Sequence, residues 1–291
     1  MNKDAIKQAE ILSGALPYIQ KYNNKIVVVK YGGNAMKNEE LKNNVMTDIC
    51  LLNEIGIKVV LVHGGGPAIS KMLDRLNIES KFINGLRYTD DATMEVVQMV
   101  LAGQTNKELV AILNKKHGHA IGICGMDDAL IRASKHASDT DLGYVGDVEK
   151  IHPQLLMDLL EKNYIPVVAS VGCDRYGNSY NINADAAAAS IAEALHAENM
   201  VVVSDIPGIL ANPDDEDSLY SKIYTDEIDR LVEAGNIRGG MIPKVESIKS
   251  AIAGGVHKAC IIDGRIPHSL LIEILSQTGI GTMIKERKAH E

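Results

Sequence analysis

No tryptophan occurs in the 291 residues, and there is only one phenylalanine. The core must therefore be built from Val, Ile, Leu, Ala and Met, a palette that suits helices packed on a buried parallel sheet. Cysteine is scarce as well. Cys50, Cys124, Cys173 and Cys260 are far apart and form no CxxC pair, so buried, reduced thiols are expected. No apolar run reaches the roughly 18 residues of a membrane span. The opening stretch, Met1 to Glu10, is polar and has no apolar h-region. Together these features predict a cytoplasmic protein with no membrane partner. The net charge is −8, which argues against a nucleic-acid binder, since that function needs a basic face. It leaves anionic substrates open, because a few placed lysines dominate a local field.

Several nucleotide signatures are also missing. After Gly64 and Gly66, the third glycine position of a dinucleotide fingerprint holds Ile69. A P-loop needs a Gly-Lys pair, and the chain contains none. The protein-kinase glycine loop and H-R-D signature are absent too.

What is present is a repeated strand, glycine turn and helix. Lys25–Ile–Val–Val–Val–Lys30 reads as a buried strand opening into Tyr31–Gly–Gly–Asn34. A helix is predicted over 39–55. The strand Ile57 to Val62 then opens into His63–Gly–Gly–Gly–Pro67, with Pro67 suited to a first helical turn. This succession signals parallel βαβ units. Apolar spacing predicts a kinked helix from Asp4 to Tyr22, broken at Gly14 and Pro17, and one long helix from Ala92 to Lys115. Short strands are expected at 119–124, 130–133, 144–151, 165–169, 200–203 and 258–262. Helices are expected at 153–161, 185–196, 225–234, 243–253 and 269–275, before a short strand near 281–284. The acidic loop Asn212 to Asp217 reads as a solvated excursion. No linker, internal repeat or low-complexity tract appears. The pattern instead switches at 172–180, giving one sheet with a 25–175 lobe, a 176–291 lobe and an N-terminal helix, 1–24.

Ligands of open parallel sheets bind beyond the carboxyl ends of the strands. Glycines there let backbone N–H groups approach an anion, and the following helix dipole favours it. Gly32, Gly33, Gly64, Gly65 and Gly66 are candidates for such cradles. Lys30 ends an apolar strand at that edge, where it serves either a ligand or, by snorkelling, solvent. Lys244 stands near a helix N-terminus, a place the dipole disfavours for a cation. Asp185, in the first turn of its helix, is accounted for by the dipole alone. His63 fits a hydrogen bond beside the glycine turn. His117 and His119 fit a surface loop, with no further ligands at metal spacing.

Six segments in order, Val29–Lys30–Tyr–Gly–Gly33–Asn, His63–Gly–Gly–Gly–Pro67, Gly85–Leu–Arg87–Tyr–Thr89, Asn181–Ile–Asn–Ala–Asp185, Ser204–Asp–Ile–Pro–Gly208 and Gly239–Gly–Met–Ile–Pro–Lys244, resemble the amino acid kinase family, and within it the branch that phosphorylates acetylglutamate. The resemblance runs from about Lys25 to the C-terminus. It implies a three-layer α/β/α sandwich with a central, mostly parallel sheet, an amino-acid lobe first and a nucleotide lobe second. It implies transfer of the γ-phosphoryl group of ATP, carried with Mg²⁺, to the γ-carboxylate of N-acetyl-L-glutamate, in arginine biosynthesis. By that resemblance Gly64 and Gly65 meet the γ-carboxylate, Arg87 the α-carboxylate and Asn181 the acetamido region. Lys30 and Lys244 contact the transferring group, Asp185 orients them, and Gly33, Ser204, Asp205 and Gly208 lie near the nucleotide. The chemistry agrees. A carboxylate with a pKa of about 4.3 is already an anionic nucleophile, so the problem is repulsion between two anions, which positioning and positive charge solve.

The segments Ala9–Tyr18 and Asp263–Ser269 also resemble the arginine-inhibited members. That likeness implies a homo-oligomer, a hexamer built as a trimer of dimers, and L-arginine as effector near Tyr18, His268, Glu273 and Gly281. Glutamate 5-kinase and aspartokinase activity, or a nucleotide sensor without turnover, are the alternatives. Retention of both lysines speaks against the sensor, and Arg87 and Asn181 favour the acetylated substrate.

Overall fold

The computed structural model describes residues 3–36 and 38–287. In chain order the elements are α1 (Lys3–Tyr22), β1 (Ile26–Tyr31), α2 (Glu39–Glu54), β2 (Lys58–His63), α3 (Gly66–Arg75), β3 (Phe82–Ile83), β4 (Leu86–Arg87), α4 (Asp91–Gln98), α5 (Asn106–Lys115), β5 (Ala120–Cys124), β6 (Ile131–Lys135), β7 (Val145–Ile151), α6 (Gln154–Glu161), β8 (Ile165–Ala169), β9 (Val171–Cys173), β10 (Ser179–Ile182), α7 (Ala184–Ala194), β11 (Asn199–Ser204), β12 (Lys222–Tyr224), α8 (Ile228–Glu233), α9 (Met241–Ala253), β13 (Ala259–Asp263), α10 (Ser269–Leu275) and β14 (Thr282–Lys285).

Eight strands form the central sheet in the order β12-β14-β13-β11-β1-β2-β8-β5. Every pairing is parallel except β13 with β14. The α/β class and the mostly parallel sheet thus match expectation. β1 and β2 are apolar and β-branched, and the sheet buries both of their faces. Val28, Val60 and Val202 turn to one face, against α7 and α9. Val27, Val29, Val59 and Val201 turn to the other, against α2, α5 and α10. Side chains alternate faces along a strand, so one run of valines fills two cores.

Helix starts are written in local chemistry. Asn38 caps α2 by accepting from Glu40 N–H at 2.9 Å and Leu41 N–H at 3.0 Å. Asp90 caps α4 through Thr93 N–H at 2.9 Å, and Asn183 caps α7 through Asp185 N–H at 2.8 Å. Each replaces an N–H partner the helix cannot supply.

The N-terminal helix, Lys3–Tyr22, holds Gly14 and Pro17 inside it. Three elements differ from expectation. The long helix is not regular: Met99–Thr105 winds as a π-helix between α4 and α5. A hairpin, β3–β4, turns at Asn84 and Gly85, both at positive φ, as a type I′ turn requires. Residues 172–180, where the pattern switches, form the β9–β10 hairpin of a small closed sheet, β10-β7-β6-β9. Among the described residues, no helix is long and apolar enough to cross a membrane.

Candidate active site

Strand alternation decides where Lys30 goes. Lys30 and Val28 are two residues apart on β1, so both face α7 and α9. Asp185 is in the first turn of α7. Lys244 is in the first turn of α9, which packs on α7. The three side chains therefore meet. Lys30 Nζ lies 3.0 Å from Asp185 Oδ1, and Lys244 Nζ donates to Asp185 Oδ2 at 2.8 Å. Lys30 and Asp185 are buried, while Lys244 is partly open. Asp185 Oδ1 finds no partner at hydrogen-bonding angles among the described residues. The Lys30 contact is thus a close ion pair.

Burial alone would raise the Asp185 carboxyl, but the two ammonium groups outweigh it and hold the acid below its ordinary range. Burial lowers the Lys30 ammonium, and Lys244 lowers it further, against the pull of Asp185. One carboxylate between two ammoniums leaves a net positive centre, built to receive negative charge.

On one side of this triad lies a cavity of about 740 Å³, bordered by Lys30, Gly33, Gly64, Gly65, Arg87, Asn181 and Asp185. Gly65 caps α3, whose first N–H groups have no partner inside the helix. A Cβ on Gly65 would stand 2.6 Å from Leu101 Cδ2, and one on Gly64 3.2 Å from Ala184 Cβ. A methyl group on Gly65 would make Leu101 move, and one on Gly64 would press on Ala184. Arg87 is held across the cavity. Its guanidinium donates to Ser80 Oγ, to Gly66 O at 3.1 Å and to Ser70 Oγ at 2.9 Å. It also stacks 4.6 Å from the Phe82 ring centre. Burial lowers its pKa, opposed by Asp74. Asn181 Nδ2 donates to Thr89 Oγ1 at 3.2 Å.

On the other side of the triad a second cavity, about 560 Å³, is bordered by Ser204, Asp205, Gly208 and Lys244. Gly33 does not border it; Gly33 lies on the first cavity. Two residues given no role from the sequence, Arg238 and Arg265, also line the second cavity. Arg265 is fixed by Asp263 through Nε at 3.0 Å and Nη2 at 2.8 Å. The acidic loop is largely exposed, as expected, and its Pro213 and Glu216 also form part of this wall.

Residues 25–263 match the amino acid kinase family. The chain belongs to that family. An acetylglutamate kinase of Brachyspira hyodysenteriae is 55% identical over 276 residues, covering 95% of this chain and 96% of that protein. One from Clostridium beijerinckii is 53% identical, covering 96% and 98%. Among solved structures, an N-acetylglutamate synthase of Neisseria gonorrhoeae, complexed with coenzyme A and N-acetyl-glutamate, superposes with a TM-score of 0.84 at 26% identity. It covers 96% of this chain, which spans 64% of that protein's length. A carbamate kinase of Giardia lamblia bound to AMP-PNP shares the fold, with a TM-score of 0.67 at 16% identity over 91% of this chain and 99% of that one.

The four residues assigned by resemblance to an effector site lie on α1, at the start of α10, within α10 and just before β14. Glu273 Oε2 accepts from Gly281 N–H at 3.3 Å. His268 instead pairs through Nδ1 with Asp48 Oδ1 at 2.6 Å. Tyr18 is half-buried on α1. His63 does hydrogen-bond beside its glycine turn. All four cysteines are free.

Proposed function

We propose that this amino acid kinase transfers the γ-phosphoryl group of ATP to the side-chain carboxylate of N-acetyl-L-glutamate. The observation that carries the reading is the Lys30–Asp185–Lys244 triad standing between two cavities, one suited to a carboxylic acid and one to a nucleotide. The identity of 47–55% to acetylglutamate kinases over nearly the whole chain supports the same substrate.

In this reading Arg87 holds the α-carboxylate, since a guanidinium fork matches a carboxylate. Asn181 reads the acetamido group, and the Gly64–Gly65 backbone holds the γ-carboxylate. A γ-carboxylate oxygen attacks the γ-phosphorus, the bond from that phosphorus to the β,γ-bridging oxygen breaks, and the electron pair leaves on ADP. No proton moves. Lys30 and Lys244 flank the transferring group and offset charge on its oxygens, which is the main demand of such a reaction. Asp185 keeps both ammoniums in place and prevents their mutual repulsion. Ser204, Asp205, Gly208 and Arg238 form the nucleotide wall. Among the described residues, no cluster of three His, Cys, Asp or Glu side chains could hold a metal. A magnesium ion in this reading arrives on the phosphates of ATP, and no step here depends on a protein-held one.

An ADP-release assay with N-acetylglutamate, glutamate and aspartate tests the substrate. Turnover with the acetylated acid alone is expected; preference for a free amino acid overturns it.

The same reading includes a cytoplasmic, arginine-regulated oligomer. Along α1, Ile11 and Leu12 are 64% and 73% exposed, and Ile6 and Leu16 are uncovered too. Among the described residues of α1 only Tyr22 is buried, and the helix touches α10. A second copy covering this stripe explains it. Leu12→Asp is expected to reduce a hexamer to dimers on gel filtration and to blunt arginine inhibition. Unchanged elution and unchanged inhibition would refute both.

A further inference from the structure

Beneath the glycine turn lies a buried polar chain that the phosphoryl-transfer machinery leaves unused. His63, the last residue of β2, is fully buried. Its Nδ1 lies 2.9 Å from the carbonyl oxygen of Gly64, and its Nε2 lies 3.1 Å from Asn106 Nδ2. Asn106 is buried as well, and its Nδ2 also faces two backbone carbonyls, Val167 O at 2.8 Å and Ile123 O at 3.2 Å. Carbonyls only accept, so that atom must be the amide nitrogen, which shares its two hydrogens among these carbonyls and Nε2. It follows that Nε2 of His63 is an acceptor and that Nδ1 carries the hydrogen. Nδ1–H therefore donates to Gly64 O.

The peptide between Gly64 and Gly65 is trans, as are all those described. In a trans peptide the C=O and the following N–H point in opposite directions. Anchoring Gly64 O towards the core turns Gly65 N–H away from it, towards the cavity that Gly64 and Gly65 line. Asn106 reaches His63 because it follows the π-helix, where its own N–H bonds back to Leu101 O. That same turn sets Leu101 and Thr105 against Gly65.

We propose that His63, held as its neutral Nδ1–H tautomer by Asn106, is a positioning residue that fixes the Gly64–Gly65 peptide so that Gly65 N–H is aimed at the acceptor carboxylate. This role rests on the carboxylate-kinase reading above. Burial keeps the ring neutral, with its pKa down to about 4. The orientation is therefore constant across the neutral pH range.

The test compares two substitutions of similar size. In His63→Asn the side-chain amide nitrogen falls near the place of Nδ1 and still donates to Gly64 O. In His63→Gln it falls near Nε2 and does not. His63→Asn is expected to keep kcat within about threefold of wild type. His63→Gln is expected to lose roughly ten- to hundredfold in kcat, as outer-shell and alignment losses do, with the KM for ATP unchanged. Equal losses in both variants, tracking equal losses of thermal stability, would reduce His63 to a packing residue. Histidine-labelled wild-type protein gives a readout free of folding effects. Long-range ¹H–¹⁵N spectra should show His63 with a protonated Nδ1 and a bare Nε2 that do not titrate between pH 5.5 and 8. The opposite tautomer, or a titration, overturns the proposal. Failure of wild-type turnover on N-acetylglutamate is a separate result, and it removes the reading on which this role depends.

Discussion

Lys244 Nζ and Asp185 Oδ2, 59 residues apart in sequence, are 2.8 Å apart in space. The other oxygen of the same carboxylate faces Lys30 at 3.0 Å. Replacing Asp185 by Asn keeps the shape and removes the charge that holds two ammoniums together. Breaking a buried pair in this way costs about 3–5 kcal/mol. Asp185→Asn is expected to lose that much in urea unfolding and to lower kcat by roughly a hundredfold or more. A variant with wild-type stability and turnover would remove the triad from the mechanism.

Arg87 bonds Ser70, Ser80 and Gly66 O and stacks on Phe82. An ammonium cannot copy that planar arrangement. Arg87→Lys should raise the KM for the acceptor by about 10- to 100-fold, about 1.4–2.8 kcal/mol. Because this is binding shared by ground and transition states, kcat should stay near wild type. Initial-rate kinetics over both substrates separates the two. A loss in kcat alone would contradict the assignment.

Gly65→Ala puts a methyl group 2.6 Å from Leu101 Cδ2. Overpacking of this kind costs about 1–3 kcal/mol. The single variant should melt early and turn over slowly, and adding Leu101→Ala should restore part of the activity. If the second change only adds damage, steric crowding is not the cause.

Asp48 is buried under α10, and its Oδ2 has no hydrogen-bond partner among the described residues. Burial pushes its pKa from 3.8 to about 6, against the pull of His268. The folded state therefore binds more protons than the unfolded state between these values, and stability must fall as pH rises through that window. A shift of this size corresponds to about 3 kcal/mol at most. Urea midpoints from pH 4 to 7 should show this slope in wild type and not in Asp48→Asn. Parallel curves would show that Asp48 ionises freely in the fold.

Lys30 is legible in the sequence because a charge ends an otherwise apolar strand. The alternation that puts it beside Val28 then follows from geometry. Asp185 is harder. A carboxylate in a first helical turn already has an explanation in the dipole, and its meeting with Lys30 depends on which sheet face α7 covers. Asn106 carries no local signal, since its place comes from a π-helix that the apolar spacing of 92–115 does not betray. The β3–β4 hairpin is marked by Asn84–Gly85, yet strands of two residues show no alternation to support it. Arg238 adjoins the Gly239–Lys244 segment and Arg265 lies within Asp263–Ser269, yet nothing local joins the two segments, and only the tertiary fold brings them to one wall.

The wide turn at 99–105 also sets a rule about length. The π-winding absorbs one extra residue, so if 99–105 wound as a regular α-helix with no residue removed, α5 would rotate by about 100° relative to α4. Asn106 would swing off His63, and Leu109 and Leu113 would leave the buried face they now fill. The exposed turn at 175–178 can gain or lose a residue at little cost. Inside this helix the count of residues is itself a functional parameter, as fixed as the identity of any side chain in the site.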